Sequence, residues 1–257
     1  MTVELQANDA VPIQADYAGC GRKIGEFDCC SVVEGDICSQ LSGVPSVELV
    51  ITDPPYGIGY SSCGGPRVSE IRKAAIASET KLKNDVASDW SWAFSELEKR
   101  LLPASAIYCF TSHKNYCETV RWLSKFTMKT PLVWDKGNCG MGDLKGDYGC
   151  QTEFILYAVK GRHILQGGRN RNILNYQRPS DAHRNHPTEK PVELLQYLIG
   201  KSSVSKQIVL DPFCGSGPTL IAAKRLGRHF LGIEIEPKYV AIARERLAAE
   251  PWVVERV

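Results

Sequence analysis

The sequence predicts a single α/β domain with a mostly parallel β-sheet that carries helices on both faces. Short apolar runs alternate along the chain with segments whose apolar residues recur every three or four positions, which is typical of strands alternating with amphipathic helices. Three of the helical segments begin with proline, whose fixed φ angle suits the first helical position. The 257 residues are enough for one large domain of this class.

The predicted strands are apolar runs, and we expect them to be buried on both faces, as strands of a covered parallel sheet are. They span residues 47–52, 106–111, 131–134, 153–159, 207–210 and 229–235. The predicted helices span residues 90–102, 113–126, 191–201, 218–226 and 237–249. Two stretches, 57–89 and 161–185, hold too few apolar residues for a core of their own, so we interpret them as insertions on one domain spanning 1–257.

Composition excludes several classes of protein. Hydrophobic residues make up 43% of the chain and charged residues 23%, which excludes a disordered polymer. No apolar run approaches the ~20 residues of a membrane span, and the first ten residues lack the apolar core of a signal peptide. We therefore expect a soluble, cytoplasmic protein with no membrane partner.

The ten cysteines are spread along the chain, and reduced thiols are the expected state because no export signal is present. The densest group is Cys20, Cys29, Cys30 and Cys38, which lacks the paired C-x-x-C spacing of a zinc site. We predict that these cysteines act as small hydrophobic residues and hold no metal, with metal binding as the alternative.

The net charge of +2 hides an uneven distribution. Residues 1–56 carry two Lys/Arg against nine Asp/Glu, whereas residues 160–190 carry seven Lys/Arg against two Asp/Glu. A basic segment of this kind favours contact with a polyanion, and a solvated loop is the alternative. The arginines of this segment that could contact a polyanion are Arg162, Arg169, Arg171, Arg178 and Arg184. The same segment holds the side-chain amides of Asn170, Asn172, Asn175 and Gln177, each of which offers a hydrogen-bond donor and an acceptor.

The segment Asp211-Pro-Phe-Cys-Gly-Ser-Gly217 follows a predicted strand and precedes a predicted helix. A glycine turn at a helix N-terminus lets backbone N–H groups approach a ligand closely. Glu234 ends the next strand, where an acidic side chain accepts hydrogen bonds from ribose hydroxyls in nucleoside-binding α/β folds. The spacing between the glycine turn and Glu234 favours a nucleoside-cofactor site over a generic glycine turn.

The tetrapeptide Asp53-Pro54-Pro55-Tyr56 follows the predicted strand 47–52. Ligands of open α/β sheets bind at the carboxyl ends of strands, so the tetrapeptide should lie in the same crevice as the glycine turn. The Asp53 carboxylate and the Pro54 carbonyl can together accept both hydrogens of an amino group, and Tyr56 offers an aromatic face. A strand-terminating turn with a structural aspartate is the alternative.

Together with His186-Pro-Thr-Glu-Lys-Pro191, these motifs resemble the amino-group DNA methyltransferases that use S-adenosylmethionine. The resemblance runs from Gly35 to the helix after Glu236. The order of motifs, with the tetrapeptide before the cofactor turn and the basic segment between them, is similar to the β group, whose Rossmann-like fold is circularly permuted. Members with Asp first in the tetrapeptide mostly methylate N6 of adenine.

The resemblance implies a role for each matching residue. The catalytic group would be Asp53, Pro54, Pro55 and Tyr56, with Tyr56 stacked on a base flipped out of the duplex. The cofactor would be bound by Asp36, Thr188, Lys190, Asp211, Phe213, Gly215, Gly217 and Glu234. Within this set, Asp36 would face the cofactor adenine, Glu234 the ribose, and Thr188 and Lys190 the methionine end.

The resemblance also implies what the rest of the chain does. Residues 161–185 would recognise the target sequence, with the arginines named above contacting DNA and the four amides matching adenine edges. Residues 57–89 would form a mobile clamp on the DNA. Double-stranded DNA is the implied partner, and a homodimer and a cognate restriction endonuclease, as in restriction-modification systems, are compatible with it. Pro218 departs from the family pattern, in which many members have Thr or Ser after the second glycine.

Three alternative functions stay open at this point. A cytosine-N4 methyltransferase would use the same chemistry, although Ser is then usual in place of Asp53. Enzymes that methylate protein glutamine or RNA usually have Asn before Pro-Pro-Tyr and place the cofactor motif first, and neither holds here. A non-catalytic nucleic-acid-binding protein could keep the fold, but every motif retains its acidic and glycine positions.

Overall fold

The structure is a computed structural model that describes residues 22–55, 89–138, 145–178 and 189–251. The strands are β1 (Lys23–Ile24), β2 (Phe27–Asp28), β3 (Ser31–Glu34), β4 (Val47–Thr52), β5 (Leu101–Thr111), β6 (Thr127–Met128), β7 (Leu132–Asp135), β8 (Thr152–Lys160), β9 (Ile173–Asn175), β10 (Ile208–Asp211) and β11 (His229–Glu234). The helices are α1 (Ile37–Gln40), α2 (Ser91–Arg100), α3 (Tyr116–Trp122), α4 (Val192–Ser202), α5 (Pro218–Arg225) and α6 (Pro237–Ala249).

Most of these strands form one sheet in the order β3-β11-β10-β4-β5-β8-β7-β9, with β6 also paired to β8. Every neighbouring pair from β3 to β5 is parallel, and so is β7 with β9. Strand β8 alone runs antiparallel to its neighbours β5 and β7. The predicted mostly parallel sheet is therefore confirmed, and the reversed β8 brings its amino end to the edge where the other strands end.

Two apolar layers cover the sheet. In β4, Leu49 and Ile51 pack in one layer with buried residues of α4, α5 and α6, whereas Val47 and Val50 pack in the other with residues of α2 and α3. The alternation of side chains along a strand separates Leu49 and Ile51 from Val50, and the register irregularity between Val47 and Leu49 accompanies the move of Val47 to the Val50 layer. Because both faces are covered, the residues that follow the strand ends are the ones placed to meet a ligand.

Some element boundaries differ from the prediction for identifiable reasons. The helix predicted at 90–102 ends at Arg100, and β5 begins at Leu101. Pro103 disfavours helical backbone at the residue before it, and Ala104 takes a φ of +67° where the register of β4 with β5 shifts. Strand β9 was not predicted, because its three residues contain one buried apolar side chain, Leu174.

The two predicted insertions are described only in part. Residues 57–88 and 179–185 lie outside the described residues, whereas residues 161–178 include β9, which joins the edge of the sheet beside β7. The division of the chain into one domain with two insertions stays a prediction. Among the described residues, no helix is long and apolar enough to span a bilayer.

Candidate active site

The two predicted motifs open at the same edge of the sheet. Strands β4 and β10 are parallel neighbours, with Val50 opposite Leu210, so Asp53 and the turn after Asp211 emerge side by side at their carboxyl ends. Trp90 links them further, because its indole Nε1 donates to the Pro55 carbonyl over 3.2 Å and its ring packs edge-on against Phe213 at 4.9 Å. Sequence analysis did not single out Trp90.

The glycine turn is held by a buried carboxylate. Asp211 accepts a hydrogen bond from the Phe213 backbone N–H at 3.1 Å and another from the Thr219 hydroxyl. Burial raises the pKa of Asp211 to about 7, although these two hydrogen bonds oppose the shift. Gly217 takes a φ of +79°, and a Cβ there would lie 3.0 Å from the Cβ of Ala243, so glycine suits this close approach of the turn to α6.

Glu234 binds the same turn from the neighbouring strand. Its carboxylate accepts the Gly215 N–H at 2.8 Å and the Glu236 N–H at 2.9 Å. Burial raises the pKa of Glu234, although these hydrogen bonds lower it. Each carboxylate oxygen keeps a second lone pair, so Glu234 can hold the turn and accept ribose hydroxyls together. Asp36 follows β3, the strand on the other side of β11, and caps α1 by accepting the Cys38 N–H at 2.9 Å.

Cys214 lies in the turn as a buried thiol that is poorly suited to act as a nucleophile. Its side chain is buried, and burial, followed by the charges of Asp211 and Glu234, raises the pKa of its thiol well above the usual range. The thiol lies where Gly232 leaves room, since a Cβ at Gly232 would be 2.8 Å from the Cys214 sulfur. Cytosine-C5 methylation needs a thiolate nucleophile, and Cys214 does not supply one.

Lys190 pairs with Asp53. Its Nζ lies 2.8 Å from Asp53 Oδ2 and 2.6 Å from Glu153 Oε1, and the side chain of Lys190 is only 8% exposed. Burial alone would lower the pKa of Lys190, but the charges of Asp53 and Glu153 outweigh burial and raise it. The same ammonium lies over the ring of Phe110, 5.0 Å from its centroid. Lys190 is therefore a buried cation that holds the Asp53 carboxylate in place.

Glu189 makes the matching contact on the cofactor side. Its buried carboxylate accepts from the Ser216 hydroxyl at 3.1 Å and from Arg246 Nη2 at 2.8 Å, and Arg246 also donates to the Ser216 carbonyl at 2.9 Å. Consecutive residues thus bind the two motifs, with Glu189 on the glycine turn and Lys190 on Asp53. Sequence analysis missed Glu189, Glu153 and Arg246.

Comparison with known proteins agrees with this geometry. A family described as DNA methylase matches residues 47–245. The chain belongs to this family. It is 30% identical to the DNA adenine methyltransferase YhdJ of Escherichia coli, with 84% of this chain and 82% of that protein aligned. It is also 30% identical to the type II methyltransferase M2.DpnII of Streptococcus pneumoniae, over 80% of this chain and 84% of that protein.

The fold of this methylase resembles that of M1.HpyAVI in its complex with S-adenosylmethionine. The TM-score is 0.63 and the identity 25%, with 84% of this chain and 98% of the other covered. The predicted Rossmann-like methyltransferase fold is thereby confirmed.

The predicted site residues are described in part. Tyr56, Thr188 and Arg184 lie outside the described residues, and nothing is added to their predicted roles. Pro54 and Pro55 follow β4 beside Asp53, as expected. The predicted contact of Lys190 with the methionine end of the cofactor stays a prediction, and the structure adds an ion pair of Lys190 with Asp53.

The described part of the basic segment of this methylase runs from the amino ends of the parallel strands to their carboxyl ends. Arg162 follows β8 at the edge opposite Asp53, because Lys160 is in register with Ser105 near the amino end of the parallel strands. Arg178 follows β9 and lies beyond the carboxyl end of β7, on the Asp53 side. Arg169 and Arg171 occupy the exposed stretch between.

Two of the predicted base-reading amides have internal partners. Lys201 donates to the Asn170 side-chain oxygen at 2.7 Å and to the Gly168 carbonyl at 2.6 Å. Asn172 Nδ2 donates to the Pro131 carbonyl at 3.1 Å. Asn175 and Gln177 are exposed next to Arg178, so they are better placed than Asn170 and Asn172 to reach a base at the Asp53 edge.

Proposed function

We infer that this methylase transfers a methyl group from S-adenosylmethionine to the N6 amino group of adenine in double-stranded DNA. The observation that carries the inference is the placement of the Asp53 carboxylate at the end of β4, directly beside the glycine turn at the end of β10. An acceptor for an amino group and a turn suited to a nucleoside cofactor thus share one crevice. The relative YhdJ, which is named a DNA adenine methyltransferase, supports the same base.

The residues of the turn fit this cofactor. S-adenosylmethionine supplies a methyl group on a positively charged sulfur, and its methionine part also carries an ammonium group. The buried carboxylate of Asp211 and the half-buried carboxylate of Glu234 suit a cationic ligand, and the positive-φ glycines Gly215 and Gly217 let backbone approach it. Asp211, Phe213 and the two glycines would lie under the methionine part, with Glu234 at the ribose and Asp36 near the adenine.

Asp53 makes the weakly nucleophilic amino nitrogen of adenine reactive. The nitrogen lone pair is delocalised into the ring, and two acceptors on its hydrogens, the Asp53 carboxylate and the Pro54 carbonyl, favour a pyramidal nitrogen with an available lone pair. That lone pair forms the new bond to the methyl carbon while the carbon–sulfur bond breaks and its electron pair stays on sulfur. The surplus proton on nitrogen passes to the Asp53 carboxylate.

The target adenine has to leave the duplex to reach Asp53, since its amino group is inaccessible within the base stack. Tyr56 is the residue we propose as its stacking partner. The reaction would take place in the cytoplasm, where DNA is available in a bacterial cell. A homodimer and a cognate endonuclease stay predictions.

The base is tested directly by incubating the purified chain with unmethylated DNA and isotope-labelled S-adenosylmethionine, then digesting the DNA to nucleosides. We expect the label in N6-methyl-2′-deoxyadenosine. Label in N4-methyl-2′-deoxycytidine would overturn the base assignment, and absence of label from DNA of varied sequence would favour a non-catalytic DNA-binding protein. Long-read mapping of modified bases in cells expressing the chain would give the recognition sequence in the same experiment series.

Cofactor affinity should depend on the protonation of Asp211. With the pKa of the carboxyl raised to about 7 by burial, the group is partly protonated near neutral pH, and a cationic cofactor favours the ionised form. Binding therefore releases a proton below pH 7, so affinity should rise with pH through 7 and level off above it. We expect the dissociation constant of the cofactor, measured by calorimetry, to be about tenfold lower at pH 8 than at pH 6. Asp211→Asn should remove this pH dependence, and an equally steep dependence in that variant would place the titrating group elsewhere.

Arg178 should contribute a phosphate contact that Arg162 does not, because the two residues lie at opposite edges of the sheet. Arg178→Ala should weaken binding to DNA of any sequence and reduce the salt slope of log K by ~1. Fluorescence anisotropy across a salt series measures both effects, with Arg162→Ala as the matched control. A lower slope for Arg162→Ala with no change for Arg178→Ala would reverse our placement of the DNA. A loss of preference at one base position in Arg178→Ala would make Arg178 a base-reading residue instead.

A further inference from the structure

Three potential metal ligands from distant parts of the chain meet at the amino ends of β3 and β11, whereas Asp53 follows the carboxyl end of β4. The Sγ of Cys29 lies 3.0 Å from His229 Nδ1, the Sγ of Cys30 lies 3.7 Å from the same nitrogen, and the two sulfurs are 3.4 Å apart. Among the described residues, no other group of three or more His, Cys, Asp or Glu side chains is close enough to share an ion. None of the three residues belongs to the proposed catalytic site.

The fold builds this cluster from two neighbouring strands. His229 is the first residue of β11, and Cys29 and Cys30 immediately precede β3, its parallel neighbour. The Cys30 N–H donates to the Phe230 carbonyl at 2.9 Å, which fixes the turn against the start of β11. Because His229 is about 200 residues from the cysteines, no sequence spacing could indicate the group.

An unusual backbone conformation turns both thiols to the same side. Consecutive side chains of an extended strand point to opposite faces, which would separate Cys29 from Cys30. Cys30 instead takes a φ of +61°, a left-handed backbone conformation that residues other than glycine rarely adopt. The turn thus brings two adjacent sulfurs within 3.4 Å of each other and towards one imidazole nitrogen.

The donor set and its size fit zinc. Two thiolates and an imidazole are the ligands of a Cys₂His zinc site, and bonds of ~2.3 Å to sulfur and ~2.0 Å to nitrogen put tetrahedral ligand atoms about 3.5 to 3.8 Å apart. The observed separations of 3.0 to 3.7 Å need only small side-chain adjustments to reach those values. Hard ions such as Mg²⁺ and Ca²⁺ prefer oxygen ligands.

We propose that Cys29, Cys30 and His229 bind one Zn²⁺ ion, with a water molecule in the fourth position. The ion would join the turn before β3 to the start of β11 and so fasten the edge strand of the sheet. The ion would stabilise the fold at the amino ends of β3 and β11, away from Asp53, and would take no part in methyl transfer. The predicted absence of a metal near the cysteine group would then be wrong for Cys29 and Cys30.

The proposal is tested on the full chain, purified with a non-thiol reductant and freed of metal by a chelator. Titration with Co²⁺ should saturate at one equivalent and give the intense visible bands of tetrahedral cobalt together with a thiolate charge-transfer band, and Zn²⁺ should displace it. The zinc-loaded chain should also unfold at a higher temperature than the metal-free chain. Because these measurements use the unaltered chain, they stand even if a variant fails to fold.

Single variants assign the ligands. Cys29→Ser, Cys30→Ser and His229→Gln should each weaken Zn²⁺ binding by about 100-fold or more in a competition assay with a chromophoric chelator. Cys38→Ser is the matched control, because Cys38 is an exposed cysteine on α1 that lies outside the cluster. The Cys38→Ser protein should bind Zn²⁺ with unchanged affinity. Cobalt spectra without thiolate charge transfer, or zinc affinity retained in all three ligand variants, would overturn the proposal.

Discussion

Replacing Asp53 by alanine should reduce methyl transfer to adenine by about 10³- to 10⁴-fold while leaving cofactor binding nearly unchanged. The carboxylate acts on the target amino group as a hydrogen-bond acceptor and as the acceptor of its proton, and loss of such a group removes that much rate. The turn that would hold the cofactor is built by other residues, chiefly Asp211 and Glu234. Single-turnover kinetics with labelled cofactor gives the rate of the chemical step, and calorimetry gives the dissociation constant of the cofactor.

The fold should survive this change because Lys190 keeps a partner. When the Asp53 carboxylate is removed, the Lys190 ammonium still lies 2.6 Å from Glu153, so no unpaired buried cation results. Glu118→Ala, which removes a half-exposed carboxylate from α3, is a control for the loss of one negative charge and should retain full activity. If Asp53→Ala kept most of its activity, the amino-group acceptor would have to be another residue.

The shared position of the two motifs was predictable from sequence because it depends on a general property of parallel sheets. Ligands bind at the carboxyl ends of parallel strands, and both the Asp53 tetrapeptide and the Asp211 turn follow apolar strands. The start of the helix after Gly217 was equally predictable, since Pro218 fixes the first helical position. These features are local, and the local sequence is enough to determine them.

The contacts of Lys190 were not predictable, because they depend on a reversed strand. Glu153 reaches the Asp53 edge only because β8 runs antiparallel to β5 and so presents its first residues there. In the sequence, 153–159 is an apolar run like those of the parallel strands, and nothing in it indicates its direction. A carboxylate at the start of such a run is equally consistent with a solvent-exposed strand end.

Trp90 and the cysteine cluster were missed for a related reason. Trp90 contributes a hydrogen bond to Pro55 and a ring contact to Phe213, but a tryptophan at the start of an amphipathic helix is more simply explained as a core residue. Cys29, Cys30 and His229 meet only because β3 and β11 are neighbours in the sheet. Pairings between strands far apart in sequence are not encoded in local spacing.

Lys190 should act through Asp53 and not through the cofactor, and Lys190→Met distinguishes the two roles. Removing the ammonium leaves the Asp53 and Glu153 carboxylates facing each other without a cation, which should cost roughly 3 to 5 kcal/mol of folding stability. Repulsion from the Glu153 carboxylate would then displace Asp53, and a displacement of about 1 Å at a reacting group can cost ~100-fold in rate. We therefore expect kcat to fall about 100-fold, with a much smaller change in the dissociation constant of S-adenosylmethionine.

Lys136→Met is the matched control for this prediction, because Lys136 lies near the same Glu153 at 4.0 Å and has no ion pair with Asp53 among the described contacts. It should lower kcat far less than Lys190→Met does. Rates are expressed per folded molecule, with the folded fraction measured by circular dichroism, so that lost stability is not counted as lost chemistry. A cofactor dissociation constant weakened about 100-fold in Lys190→Met, with kcat retained at saturating cofactor, would instead make Lys190 the contact for the methionine end that the family resemblance implies. The ion pair with Asp53 would then have no role in positioning the carboxylate for methyl transfer.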